Sequence, residues 1–224
     1  MTPDDCPSPR DRSLPALAFY RTAQGLVRLL FALLGGFRVT GREHVPDRGA
    51  TLLVSNHLSF WDVFVLGSGI SRPLNFVARS SLFKPMLGWL IRSLGGFPIQ
   101  REGIGVQGFK ETLRRLKRGG IVALFPEGTR SPDGALQPLK PGIAPLATRA
   151  RVPIVPVGIA GTFEAWPRHR RFPRPHPLRL HIGPPIVPEE LDSLSPEEAA
   201  ALIRERIQQA VDAARLGLAP RPPG

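Results

Sequence analysis

Short apolar runs recur along the chain at 37–40, 51–55, 74–78, 97–100, 121–125, 154–159 and 178–182. Between them, apolar residues spread out at helical intervals over 60–67, 82–94, 106–117, 143–149 and 196–216. Strand runs that alternate with helical patterns predict an α/β fold, a wound mixed sheet with helices on its faces. The last helix is the best punctuated. Ser195 caps it, Pro196 occupies its first turn, Glu198 completes a capping box and Gly217 stops it.

Ahead of the first strand, the segment 14–36 predicts an amphipathic helix with an unusual balance. Arg21, Gln24, Gly25 and Arg28 form one polar stripe inside a broad apolar surround. Two readings fit: a helix lying in a membrane interface with its guanidinium groups at headgroup level, or a helix packed on the protein's own core. No run reaches ~18 consecutive apolar residues, so a membrane span is not expected. A cleaved signal peptide fits poorly, because Asp4, Asp5 and Asp11 precede the apolar stretch. The segment 82–94 has the length of a core helix, although Trp89 between Lys84 and Arg92 also suits a membrane-facing one.

The expected organisation is a disordered leader at 1–13, the amphipathic, membrane-interface helix at 14–36, one α/β domain at 37–218 and a disordered tail at 219–224, which suits 224 residues. The Pro- and Arg-rich stretch 166–177 reads as a solvated loop. Its Arg168, Arg170, Arg171 and Arg174 are alternatively a meeting point for anionic lipid or an acidic carrier protein.

Charge narrows the partners. Thirty basic against 18 acidic residues give +12, a balance that favours an anionic membrane, an acidic carrier protein or a phosphorylated substrate. Nucleic acid is not expected: one Tyr, three Trp and no zinc-finger spacing leave little to read bases with. The single Cys6 excludes an internal disulfide, a thiolate metal cage and a CxxC redox pair, and points to a reducing compartment. His44 and His181 lie at strand edges without ligand partners at metal spacing, so no metal is expected.

Two stretches carry candidate chemistry, each placed directly after an apolar strand. In Asn56-His57-Leu58-Ser59-Phe60-Trp61-Asp62, a His stands where open α/β sheets hold their ligands. Asp62 can fold back to fix one imidazole nitrogen, leaving the other as a base. An alcohol needs that base at neutral pH, since its proton must leave as it attacks an acyl carbon. No GxSxG elbow supplies a nucleophilic Ser, so the attacking hydroxyl belongs to the substrate. In Phe125-Pro126-Glu127-Gly128-Thr129-Arg130-Ser131, Glu127 and Arg130 flank a glycine turn that would place a hydroxyl acceptor and an anion clamp together. Arg101 and Lys140 could add positive charge. A GxGxxG at 103–108 also precedes a helix, but its strand is short and its required acidic residue would be Glu127, which the other turn already uses.

These blocks together resemble the glycerolipid acyltransferases typified by 1-acylglycerol-3-phosphate acyltransferases. NHLSFWD is similar to that family's His-four-residues-Asp block, GGFPIQR to its second block, FPEGTRS to its third and VPIVPVGI to its fourth, in family order over 51–159. The resemblance implies that His57 is the general base and Asp62 its orienter. It implies that Arg101, Glu127, Gly128, Thr129 and Arg130 bind the acceptor, and that the 153–158 block shapes the acyl site. Gln100 departs from the acidic or basic residue many members carry there, which bears on the acceptor headgroup.

The function so implied is transfer of a fatty acyl chain from acyl-CoA or acyl-carrier protein to the free hydroxyl of 1-acylglycerol 3-phosphate, without a cofactor, on the cytoplasmic face of the cell membrane. Another lysolipid or an amino-acid lipid as acceptor, or a basic protein that binds nucleic acid or anionic membrane without catalysis, are the competing readings.

Overall fold

The structure, a computed structural model, describes residues 13–99 and 105–218. The predicted leader (Ser13 apart) and tail, Gln100, Arg101 and the start of the GxGxxG run lie outside the described residues.

Seven strands form one mixed sheet in the order β1-β7-β6-β2-β5-β3-β4. They are β1 (Phe37–Thr40), β2 (Thr51–Ser55), β3 (Leu74–Arg79), β4 (Gly96–Ile99), β5 (Ile121–Leu124), β6 (Ile154–Ala160) and β7 (Leu178–Ile182). Strands β2 to β6 run parallel, whereas β7 is antiparallel to β6 and β1 is parallel to β7. The C-terminal ends of β2, β5 and β6 therefore share one edge with the start of β1 and β7.

Strands β2 and β5 are buried at every position, as strands covered on both faces must be. Side chains alternate between two cores. Leu52, Val54, Val122 and Leu124 face α4 (Val106–Lys117), α5 (Ile143–Ala150) and α7 (Pro196–Leu216), whereas Leu53, Ala123, Val155 and Val157 face α1 (Leu14–Leu33) and α2 (Asp62–Gly69). Helix α7 lies so close to β6 that a Cβ on Gly158 would stand 2.1 Å from the Ala210 backbone, so only glycine fits there. The Ser195 capping box forms as expected, with the Glu198 side chain accepting the Ser195 N–H at 2.8 Å.

The helix expected over 60–67 begins at Asp62 instead, because the preceding residues curl around the Asp62 carboxylate. A four-residue helix α6 (Thr162–Ala165) follows β6 unannounced by any periodicity. Helix α3 (Pro85–Ser93) is not a core helix. Only its Gly88 is buried, against the Phe83 backbone, while Met86 is 89% and Trp89 62% exposed.

Helix α1 packs on α2 through part of its surface. Gln24 and Arg28 of its polar stripe face the protein, while Arg21 and Gly25 are exposed. The Gln24 amide donates to the Gly67 and Ile70 carbonyls at 2.7 and 2.9 Å, and Arg28 Nε donates to the Ser68 carbonyl at 2.7 Å. These are the orphan carbonyls at the end of α2, which an eight-residue buried helix must satisfy somehow. Tyr20 and Phe31 are buried beside Gln24, while the rest of the apolar surround is turned outward: Leu26 is 63%, Leu29 58% and Leu33 76% exposed. Phe19 of α1 meets Trp89 of α3 with ring centroids 5.9 Å apart, which joins the two exposed apolar faces.

Candidate active site

His57 stands just past the end of β2, at the edge where the parallel strands finish. The residue before it secures the turn. The Asn56 side chain donates to the Ile159 carbonyl at 2.9 Å and accepts the Ile159 N–H at 2.8 Å, extending the β2–β6 ladder with an amide that imitates backbone. Downstream, one oxygen of Asp62 gathers three donors: His57 Nδ1 at 2.8 Å and the backbone N–H groups of Leu58 and Ser59 at 2.5 and 2.7 Å. Asp62 is fully buried at the start of α2, where the helix dipole favours an acidic group. Its other oxygen has no hydrogen-bond partner among the described residues.

Because a carboxylate oxygen only accepts, Nδ1 carries the proton in this pair and Nε2 keeps its lone pair. The imidazole stacks on Phe125 at 4.0 Å with 15° between the planes. With one face on an aromatic ring and one nitrogen on a fixed oxygen, the side chain is 18% exposed yet locked in orientation.

The second stretch lies against the first. The Ser131 N–H donates to the His57 carbonyl at 2.7 Å, and Glu127 accepts the His57 N–H at 2.6 Å. His57 and the 125–131 turn are thus bonded through the His57 backbone on both sides. Gly128 makes that turn possible: its φ of 72° lies in the left-handed region, and its N–H closes the turn on the Phe125 carbonyl. Gly128 and Thr129 are exposed, Arg130 is half-buried, and the Lys140 stem packs across Gly128.

A family model described as Acyltransferase matches residues 36–160, a stretch that contains both turns and the strands that carry them. The chain belongs to that acyltransferase family.

Among relatives of this acyltransferase, a 1-acyl-sn-glycerol-3-phosphate acyltransferase of Bacillus subtilis is 27% identical over 194 residues, covering 86% of this chain and 94% of its own. A chloroplastic 1-acyl-sn-glycerol-3-phosphate acyltransferase, BAT2 of Brassica napus, is 33% identical over 71% of this chain, which spans about half (47%) of the plant protein. The solved structure of the 1-acyl-sn-glycerophosphate (LPA) acyltransferase PlsC from Thermotoga maritima superposes with a TM-score of 0.80 at 29% identity, covering 92% of this chain and 83% of that one. The α/β fold, a seven-stranded mixed sheet flanked by helices, is the one expected.

Within the acyltransferase site, Glu127 does not occupy the place expected of an acceptor ligand. It is 2% exposed, and its two oxygens accept the His57 and Gln137 N–H groups at 2.6 and 2.8 Å. The cause is local. A carboxylate enclosed behind the strand ends needs donors, and two loop amides without ladder partners supply them. Burial pushes its pKa up to about 7, against the two backbone N–H bonds that favour the charged form. Glu127 is a bracket that holds the His57 turn to its neighbours.

Arg101 lies outside the described residues, so the structure does not place it. Gly105 caps α4, and Glu127, the acidic residue a dinucleotide site would need, is occupied behind His57. Among the described residues no group of three or more His, Cys, Asp or Glu side chains is spaced to hold a metal ion.

Several groups that shape the site escaped the sequence reading. Asn56 and Phe125 sit inside the quoted motifs but had no role there. Gln137 reaches Glu127 through its backbone N–H, which no side-chain pattern reveals. Trp166 accepts a 2.7 Å bond from Ser59 Oγ at its carbonyl and sets its ring edge-on to Phe60 and Trp61.

Proposed function

We propose that this acyltransferase moves a fatty acyl chain from a thioester, on coenzyme A or acyl-carrier protein, to the free hydroxyl of 1-acylglycerol 3-phosphate. The reading is carried by one observation: the Asp62-oriented imidazole and the turn bearing Arg130 are joined backbone to backbone through Ser131 and His57. A base and a cation in one place suit an acceptor that has both a hydroxyl and a phosphate. The names of the bacterial and plant relatives support the same acceptor.

In this mechanism the acceptor hydroxyl gives its proton to His57 Nε2 as its oxygen bonds to the thioester carbonyl carbon. Asp62 steadies the imidazolium through Nδ1. The tetrahedral intermediate then collapses, the carbon–sulfur bond breaks, and the departing sulfur takes the proton from Nε2. Thiolate leaves readily, so neither an acyl-enzyme nor a cofactor is needed. Arg130, with Arg101 and the exposed Gly128–Thr129 turn, holds the phosphate.

The acceptor and product are lipids, and the outward apolar faces of α1 and α3 provide peripheral attachment to a bilayer. Among the described residues, no helix is long and apolar enough to cross a membrane. Thiol release from acyl-CoA and from acyl-carrier protein, followed across lysolipids that differ only in headgroup, tests the assignment. Fastest turnover with lysophosphatidate is the expected result. Faster turnover with a zwitterionic lysolipid would reassign the acceptor, and no thiol release with any of them would remove the activity.

A further inference from the structure

The connection from β6 to β7, residues 161–177, crosses the same edge of the sheet as His57. Its sequence from Trp166 to Pro177 holds four arginines and no acidic residue. Arg168, Arg170, Arg171 and Arg174 are all exposed, and none of them pairs with a carboxylate among the described residues. Phe172 stands among them 68% exposed, with the Arg171 guanidinium 5.3 Å from its ring centre.

The loop is nonetheless held in place, and mostly by backbone. The Arg174 N–H donates to the Ala165 carbonyl, the Arg170 carbonyl accepts from Trp166 Nε1, and Arg174 Nε donates to the Glu164 carbonyl. Two further bonds define what it adjoins. The His176 N–H donates to the Leu34 carbonyl at 2.8 Å, just past the end of α1 where Leu33 is bare. The Trp166 carbonyl takes the Ser59 hydroxyl, inside the catalytic turn. One fixed segment therefore links the outward leucine face of α1 to the turn that carries His57.

We propose that this loop is a headgroup-binding platform for anionic lipid: Arg168, Arg170 and Arg171 engage phosphates at a bilayer surface while Phe172 enters the interface beside Leu33. The platform sets His57 at headgroup depth, where the hydroxyl of a lysolipid lies. It rests on the reading of α1 as membrane-facing and adds to it a preference for negative charge. Cations next to exposed leucines and an exposed phenylalanine match an anionic bilayer, which offers phosphate above hydrocarbon. An acidic carrier protein would satisfy the arginines but leave the adjoining apolar face uncovered.

Partition onto vesicles tests the platform with the full chain. The probes are phosphatidylcholine alone and phosphatidylcholine mixed with phosphatidylglycerol, read by co-sedimentation. R168Q/R170Q/R171Q removes three charges without touching a side-chain hydrogen bond, and an unchanged melting temperature checks its fold. The expected result is a ~100-fold weaker partition of this variant onto the mixed vesicles, with little change on phosphatidylcholine. L29Q/L33Q should weaken partition onto both. Undiminished binding of the arginine variant to mixed vesicles would overturn the platform while leaving the α1 reading intact if the leucine variant fails to bind. Failure of the unaltered protein to bind either vesicle would remove both. Arginine-dependent capture of acyl-carrier protein, with no arginine dependence on vesicles, would overturn the platform in favour of a carrier dock.

Discussion

The Glu127 carboxylate accepts the backbone N–H of His57 at 2.6 Å, across a sequence separation of 70 residues. A group expected to meet substrate instead fixes the chain that carries His57. Together with Asp62 on the side chain, it means that His57 is tethered to carboxylates at two points: one orients the ring, the other the peptide. Such double fixation limits both ring rotation and movement of the turn, which is what a proton transfer in a crowded transition state requires.

His57→Ala should abolish thiol release while leaving circular dichroism and the melting temperature near those of the parent. Asp62→Asn is the sharper test. The oxygen that now collects three donors becomes either an amide carbonyl, whose NH2 neighbour is then unpaired, or an NH2 facing donors. Turnover should fall ~100- to 10,000-fold, with a much smaller change in KM. Substantial turnover in the alanine variant would reject His57 as the base.

Glu127 makes a prediction about pH whose sign is fixed. In the unfolded chain it ionises near 4.5, and in the folded protein burial raises this to about 7. Between these values the native state holds a proton that the unfolded state has lost, so this group's contribution to stability falls as pH rises through the window. The fall is on the order of 3 kcal/mol at most. Glu127→Gln removes that slope. Subtracting the unfolding free energy of the variant from that of the parent, pH by pH, should give a difference that declines from about 4.5 to about 7 and then levels. The glutamine also cannot accept from both His57 and Gln137, since its amide has one oxygen, so kcat should drop even where the variant is well folded.

Much of the fold and of the His57–Asp62 hydrogen bond was legible because the relevant signals are local. The run 121–125 is apolar at every position and 51–55 at its three central ones, and His57 and Asp62 lie within one turn. Three features were not legible, for different reasons. The stripe on α1 is visible in its spacing, but spacing gives the angle between faces and not which face turns inward; the free carbonyls of α2 decide that. The role of Glu127 depends on backbone amides at residues 57 and 137, and amides are identical in every sequence. Helix α3 has a core-like composition, yet only Gly88 is small enough to lie against the backbone at Phe83, leaving its larger side chains outside.

Substitution of Arg130 tests whether it serves ground-state binding or chemistry. It follows the exposed Gly128–Thr129 turn and precedes Ser131, whose N–H is bonded to the His57 carbonyl. A guanidinium that clamps the acceptor phosphate contributes equally before and during the reaction. Arg130→Ala should therefore raise KM for lysophosphatidate, by roughly tenfold or more for a charge-assisted contact, with kcat little changed. The KM for the acyl donor should stay put. A lowered kcat with an unchanged acceptor KM would place this arginine on the tetrahedral intermediate instead.

The inward stripe of α1 gives a prediction opposite to that of an ordinary amphipathic helix. Gln24 is 6% exposed and supplies both amide hydrogens to carbonyls at the end of α2. Gln24→Leu would leave those two carbonyls without their donor in a buried place, at about 1–3 kcal/mol for each one left unpaired. The expected outcome is a lower melting temperature with vesicle partition retained below that temperature, because the exposed leucine face proposed to meet lipid is untouched. If the stripe lay at headgroup level, the same substitution would add apolar surface to the interface. Partition would then strengthen and stability would hold, and that pair of results would reverse the orientation assigned to the helix.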